Sequence, residues 1–361
     1  MKINLLNILH ILIIWQSLLF AAVLLTPKFR ARHSNIYLSL LLLTIGVHFS
    51  YNILYTNNLF ASTLSAYSCS YGFLYGPLLF LYTRFYLFSD QKFKPADSLH
   101  FLPVALIVLL TSAGFSLCNY LGIPLILVML MYCILSYRLI VSYESGVKQV
   151  YSKAEPSPTP WIKVMLIVML VILVINSVQF RYDVVSVFGA SIRTETLVQL
   201  GILALVNLIS YRGLKSPALF QKLSAQDMAM TKAITKPVHN EEIEILKAHA
   251  DQINEKVSRL KLYLDPDLTI RQLAEETGIH EKLISRAVNT IFQCNFSEYI
   301  NRFRINQSLT LIHSEKDLSI KEIMFESGFN SRSVFNTSFK QKTGDTPSDY
   351  RKKRQEKRSD S

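Results

Sequence analysis

The sequence predicts an all-α protein of two halves: a seven-helix transmembrane bundle, followed by a cytoplasmic all-helical domain with two helix-turn-helix units. Three observations carry that expectation. Residues 1–212 hold 14 Lys/Arg and 6 Asp/Glu between long apolar runs, whereas residues 213–361 hold 24 and 20 in a polar, helix-periodic pattern. Half of all residues are hydrophobic and mean hydropathy is +0.26, above what an ordinary soluble chain carries. A phrase of 13 residues, 317–329, has a near-copy 50 positions earlier at 267–279. The expected divisions are a transmembrane sensor domain over 1–212, a cytoplasmic tether over 213–239, and the twin-unit domain over 240–361. Within the last, the units fall at about 267–292 and 317–343, ahead of a basic tail.

Crossing the hydrocarbon takes about 20 apolar residues. Seven segments meet that measure, near 4–26, 35–56, 67–88, 99–117, 121–143, 161–181 and 195–212. The first follows only Met1 and Lys2 and lacks a small-residue cleavage site, so it is expected to stay as a helix. Basic residues follow the odd-numbered segments: Lys28, Arg30 and Arg32; Lys92 and Lys94; Lys148 and Lys153; Arg212 and Lys215. The alternate loops are nearly bare. Positive loops stay inside, so the expected protein is multi-pass in a bacterial inner membrane, N-terminus outside and everything after Arg212 cytoplasmic.

Polar groups at membrane depth point to function or to close packing. His48 and Asn52 in the second segment, with Asn176 and Gln179 in the sixth, are candidates for a shared ligand pocket. The third segment carries a tyrosine stripe (Tyr67, Tyr71, Tyr75, Tyr82, Tyr86), the small pair Gly72 and Gly76, then Pro77 and Arg84. It is either a ligand-lining helix or a closely packed one with Arg84 snorkelling to the inner interface. Cys69 and Cys118 both fall near outer ends, either as a disulfide or as two small apolar residues. The loop over 144–160, with Pro156-Ser-Pro-Thr-Pro160, is expected to be an extended connector.

In the repeated phrase, Ser319 with Glu322 and Thr269 with Gln272 have capping-box spacing. Gly328 and Gly278 supply the corners. In the second unit Ser331 can cap the next helix, whose inward stripe is Val334, Phe335 and Phe339. Arg332, Ser333, Asn336 and Thr337 then face outward. In the first, Leu283, Ile284 and Val288 face inward and Lys282, Ser285 and Arg286 outward. A helix-turn-helix needs one anchored face and one face able to enter a major groove. From about 255 to 354 the chain resembles the DNA-binding domain of AraC-type transcription regulators. The most specific run is Gly328-Phe329-x-Ser331-x-Ser333-x-Phe335, through Phe339-Lys340, Gly344, Thr346-Pro347-Ser348 and Tyr350-Arg351. The resemblance implies double-stranded DNA as partner, with Lys282, Ser285, Arg286, Arg332, Ser333 and Thr337 as base-edge candidates. Two positions depart from the family: Cys294 stands where glycine is frequent, and Thr337 where arginine is common.

The expected function is a membrane-bound, sequence-specific transcription regulator that couples a membrane or extracytoplasmic signal to gene expression. Membrane lipid, an unknown small-molecule signal and a second copy of the chain are the further partners expected. A phosphate loop, H-E-x-x-H, C-x-x-C and catalytic clusters are all missing from the sequence, so no enzyme activity, cofactor or metal is expected. The rival is a membrane receptor or transporter whose helix-turn-helix-like domain docks a protein partner.

Overall fold

The computed structural model describes residues 5–30, 33–56, 65–88, 92–115, 117–118, 120–152, 159–179, 184–187, 190–215, 223–224, 227, 240–314 and 318–359, with backbone alone over 55–56, 65–66, 176–179, 184–187, 190–194, 213, 215, 240–241 and 357–359. The chain divides into two compact units, Met1–Val141 with Pro158–Lys222, and Ser142–Ser157 with Leu223–Ser361.

Each of the seven apolar segments contains a helix: α1 (Leu5–Leu24), α2 (His33–Thr56), α3 (Gly72–Leu87), α4 (Leu102–Ser112), α5 (Gly122–Val150), α6 (Thr159–Gln179) and α7 (Thr194–Lys215). 3₁₀ turns over Ser65–Tyr71 and Pro95–Phe101 lead into α3 and α4. Among the described residues, four stretches are long and apolar enough to cross a membrane by length and composition: Leu5–Leu24, His33–Leu54, Pro95–Ser112 and Gly122–Val150. That is fewer than the seven expected. α3 contributes only 16 α-helical residues because its first turns are 3₁₀. Ahead of α7 lies a feature that helical periodicity gave no hint of: an antiparallel hairpin, β1 (Val184–Val187) and β2 (Ala190–Arg193), paired from Val184 with Arg193 to Val187 with Ala190.

Packing in this unit relies on small residues. α1 buries Ile13, Ser17, Ala21 and Leu24 along one stripe while Leu5, Leu12 and Trp15 stay exposed. Ser39 Oγ of α2 donates to the Ala21 carbonyl at 2.9 Å. A Cβ at Gly72 would lie 2.8 Å from Leu125, and one at Gly76 2.6 Å from Tyr132, so the glycine pair of α3 is what lets α5 approach. Arg84 does not snorkel freely. Its guanidinium grips Asp97 in a bidentate pair at 2.7 and 2.9 Å, because the turn before α4 brings that carboxylate within reach. Cys69 and Cys118 are joined as a disulfide, with Cα atoms 5.3 Å apart.

The second unit contains α8 (Asn240–Arg259), α9 (Ile270–Thr277), α10 (Glu281–Ile291), α11 (Phe296–His313), α12 (Ile320–Glu326), α13 (Arg332–Thr343) and α14 (Pro347–Ser359). Pairs α9–α10 and α12–α13 are the helix-turn-helix units, and α11, about 27 Å long at 1.5 Å per residue, links them. Leu246, Ile253 and Val257 of α8 are buried. Around α12 and α13 the core gathers Ile305, Ile312, Ile323, Met324, Phe335 and Phe339. The connector after α5 is not merely extended. Helix continues to Val150, and residues 149–152 lie against the first helix-turn-helix unit as part of the same compact unit. Residues 153–158, and 213–239 apart from 213–215, 223–224 and 227, lie outside the described residues.

Candidate nucleic-acid interface

Both capping boxes form. Thr269 caps α9 and Ser319 caps α12, each accepting from the amide three residues on, while Gln272 and Glu322 accept from the cap amide in return. Glu322 is exposed, and its bonds from the Ser319 hydroxyl and amide hold its carboxyl below the ordinary 4.5. The corners follow at Gly278 (φ 71°) and Gly328 (φ 87°). Gly328 is needed twice over, since a Cβ there would sit 2.4 Å from the Tyr263 carbonyl. Ser331 occupies the cap position of α13 without the side-chain bond expected of it. At α10 the cap is His280, whose Nδ1 accepts from the Lys282 amide at 3.2 Å. In the turn near Cys294, the left-handed residue is its neighbour Gln293 (φ 52°), and Cys294 is buried as a small apolar group.

The reading helices share their anchors. Ile284 and Val288 of α10 and, 51 positions on (284 to 335, 288 to 339), Phe335 and Phe339 of α13 are all fully buried. Their outer faces differ. On α13, Arg332, Ser333 and Thr337 are exposed and Asn336 is half-buried, as a groove-entering face requires. On α10 only Lys282 is exposed. Ser285, expected to face outward, is fully buried, and Arg286 is largely covered. Two contacts account for this correction. Arg286 Nη2 donates to Glu242 Oε2 of α8 at 2.9 Å. Asn289 and Gln149 exchange amide hydrogen bonds at 2.9 and 3.1 Å. The covered face is imperfectly satisfied: Ser285 Oγ and Arg286 Nε are buried among the described residues with no hydrogen-bond partner. Such groups cost about 1–3 kcal/mol each.

Residues 149–152 are held by more than that pair. The Ser152 amide donates to the Leu268 carbonyl at 3.0 Å, and Ser297 Oγ donates to the Ser152 carbonyl at 3.1 Å. Buried Arg304 of α11 donates to Ser152 Oγ (3.0 Å) and to the carbonyls of Tyr263 and Asp265 (2.7 Å each). Burial lowers its guanidinium to about 10, which leaves it charged at neutral pH. The basic tail forms α14. Arg354 bonds the Ile312 and His313 carbonyls at the end of α11, and Lys353 pairs with Asp345 at 2.7 Å, so these two cations have structural partners while Lys352 is exposed.

In the first unit, His48 and Asn52 both line one cavity. The side chains of Asn176 and Gln179 lie outside the described residues. The cavity also takes in His10, Tyr75, Glu195 and Gln199. His10, Glu195 and Gln199 went unread in the sequence, although His10 and Gln199 are polar residues in apolar runs, the signal that marked His48.

Residues 273–353 match the family model described as a helix-turn-helix domain. Over 102 residues, 28% of the chain, the protein is 29% identical to an uncharacterized HTH-type transcriptional regulator of Staphylococcus aureus (strain MSSA476). Over 94 residues, 26% of the chain, it is 33% identical to the melibiose operon regulatory protein of Escherichia coli (strain K12). The chain spans 13% of the length of the first relative and 31% of the second. No solved structure matches. The residues matched by the family model, 273–353, lie in the second unit, and the relatives are transcription regulators.

Proposed function

We propose that the protein is an AraC-type, sequence-specific DNA-binding transcription regulator embedded in a bacterial inner membrane by residues 1–212, not an enzyme. The observation that carries the reading is α13: Phe335 and Phe339 anchor it, and Arg332, Ser333 and Thr337 are exposed for a major groove. Arginine suits guanine through a bidentate contact, and the serine and threonine hydroxyls are permissive. In this reading the chain crosses the membrane seven times with its N-terminus outside, and the second unit is cytoplasmic. The exposed apolar shell of α1 and α5 (Leu5, Trp15, Ile123, Leu127, Ile134) supports a lipid environment. Covering of α10 by Glu242 and Gln149 marks an unengaged state, and a signal or a second copy of the chain would favour its release.

Binding-site selection from random duplex DNA, with the full chain in lipid nanodiscs, tests this. Enrichment of a site with half-sites about one helical turn apart is expected. A flat outcome over all sequences would favour the rival, a receptor or transporter whose domain docks a protein. Export of a reporter fused after Ser361 would defeat the proposed orientation.

A further inference from the structure

The cavity in the first unit has a volume of about 420 Å³, within the range of small-molecule sites. Its lining residues fall early in α1 (His10), late in α2 (His48, Asn52), early in α3 (Tyr75), early in α5 (Leu125, Met129), late in α6 and early in α7 (Glu195, Gln199). Early in odd helices and late in even ones is the register of one end of an up-and-down bundle, the end on which the N-terminus lies. In the orientation proposed above, that is the outer half.

Most of the wall is aliphatic or methionine, and the polar groups are few. His48 Nδ1 and the Tyr75 hydroxyl satisfy each other at 2.7 Å. His10 Nε2 and Gln199 Nε2 lie 2.9 Å apart. His10 is 2% and Gln199 3% exposed, and His10 Nδ1 and Gln199 Oε1 are buried without a hydrogen-bond partner among the described residues. The chemistry left over does not depend on the tautomer. If the Gln199 amide nitrogen donates, neutral His10 accepts at Nε2, and an Nδ1–H donor and an amide oxygen acceptor remain. If the amide is turned over, His10 donates at Nε2, and an Nδ1 acceptor and an amide N–H donor remain. Either way one donor and one acceptor are left over on two neighbouring side chains that line the cavity, an arrangement that is costly unless something satisfies them.

We propose that this cavity is the signal site and takes an uncharged, mostly apolar small molecule bearing one group that both donates and accepts, a hydroxyl or an amide. The apolar walls take the body, and His10 with Gln199 take the polar group. The Glu195 carboxylate on the same wall disfavours an anion. The inference rests on the reading of residues 1–212 as the sensing half. It also gives α5 two ends of interest, since Leu125 and Met129 line the cavity and Gln149 bonds Asn289 of the reading helix.

The test is equilibrium dialysis of four matched probes against nanodiscs holding the full chain, with empty nanodiscs as blank: 4-tert-butylphenol, tert-butylbenzene, 4-tert-butylbenzoate and 4-tert-butylbenzylammonium. Saturable binding of the phenol is expected, about tenfold tighter than the arene, with none for the benzoate. Gln199→Leu, which keeps the bulk and removes the polar partner, should bring the phenol down to the arene and leave the arene unchanged. Met129→Trp, which fills the chamber from its apolar side, should abolish both. An intact Cys69–Cys118 bridge and unchanged helical circular dichroism certify each variant. Equal phenol and arene binding, phenol binding that survives either variant, binding of the ammonium alone, or no saturable binding would overturn the proposal. Because no DNA is involved, selective DNA binding by a chain that takes none of the probes would defeat this inference and leave the regulator reading standing; probe binding without DNA binding would do the reverse.

Discussion

Arg286 of the first reading helix is paired with Glu242 of α8 at 2.9 Å, with side chains 17% and 29% exposed. An arginine expected at a base edge is therefore engaged by a carboxylate of its own domain. Removing the carboxylate releases it, and a partly covered pair at the edge of the domain contributes about 1 kcal/mol. Glu242→Ala should tighten binding of the selected site about fivefold, read by fluorescence anisotropy at fixed salt. Arg286→Ala should weaken it by ~1–3 kcal/mol and relax one base position. In the Arg286→Ala background, Glu242→Ala should give no gain; a gain there would mean Glu242 acts by repelling phosphate instead.

Arg304 is the linchpin of the covering segment, binding Ser152, Tyr263 and Asp265 at once. Replacing it by Leu strands several buried acceptors, and a loss of ~2–4 kcal/mol is expected in chemical unfolding of the second unit. Ser152→Ala removes one acceptor only. It should leave the unfolding midpoint nearly unchanged yet raise hydrogen exchange over 147–152. An exchange pattern identical to wild type would show that Ser152 does not hold the segment.

What the sequence revealed was local. The boxes at Thr269/Gln272 and Ser319/Glu322 span three residues, and the anchors Ile284, Val288, Phe335 and Phe339 follow from helical period alone. The exposed face of α13 was legible for the same reason. Burial of Ser285 was not, because its cause lies in partners 44 and 140 positions away, Glu242 for Arg286 and Gln149 for Asn289. Periodicity states which face a helix buries first, and is silent about a second cover arriving from a distant segment. Similarly, His48 and Asn52 were visible as polar residues in an apolar run, but their neighbours in the cavity come from helices whose contacts the sequence does not state.

Gly328 and Gly344 both adopt left-handed backbone, at φ 87° and 86°, in different surroundings. A Cβ at Gly344 meets nothing within 4 Å, whereas one at Gly328 lies 2.4 Å from the Tyr263 carbonyl and 2.9 Å from Leu264 Cα. Gly344→Ala should therefore cost only the conformational penalty, ~1–2 kcal/mol. Gly328→Ala should add overpacking against rigid backbone, for a total of ~2–5 kcal/mol. Equal shifts in unfolding midpoint for the two would remove the close approach from the account.

The Glu322 carboxyl titrates below its ordinary value because the Ser319 hydroxyl, then the Ser319 amide, bind its charged form. A folded value lower than the unfolded one means the contribution is present above about 4.5 and is lost as pH falls through the folded value. Protection factors of amides 319–323 should drop on acidification through that window. Glu322→Gln, which still accepts but carries no charge, should flatten the response. A persistent drop in the Gln variant would assign it to another carboxylate.

Cys69 and Cys118 are bridged, while Cys133 and Cys294 are free and buried. Thiols facing the bacterial cytosol stay reduced, so a bridge formed in cells requires the segments before α3 and after α4 that carry it to face the oxidising side. That is the side on which the proposed orientation puts them. In membranes denatured without reductant and treated with a maleimide polymer, two cysteines should be labelled; after reduction, four. Cys69→Ser should then open Cys118 to a membrane-impermeant maleimide added from outside. Four labelled cysteines before reduction would mean that the bridge is absent in cells, and labelling of Cys118 only after the membrane is breached would invert the topology and take the second unit away from DNA.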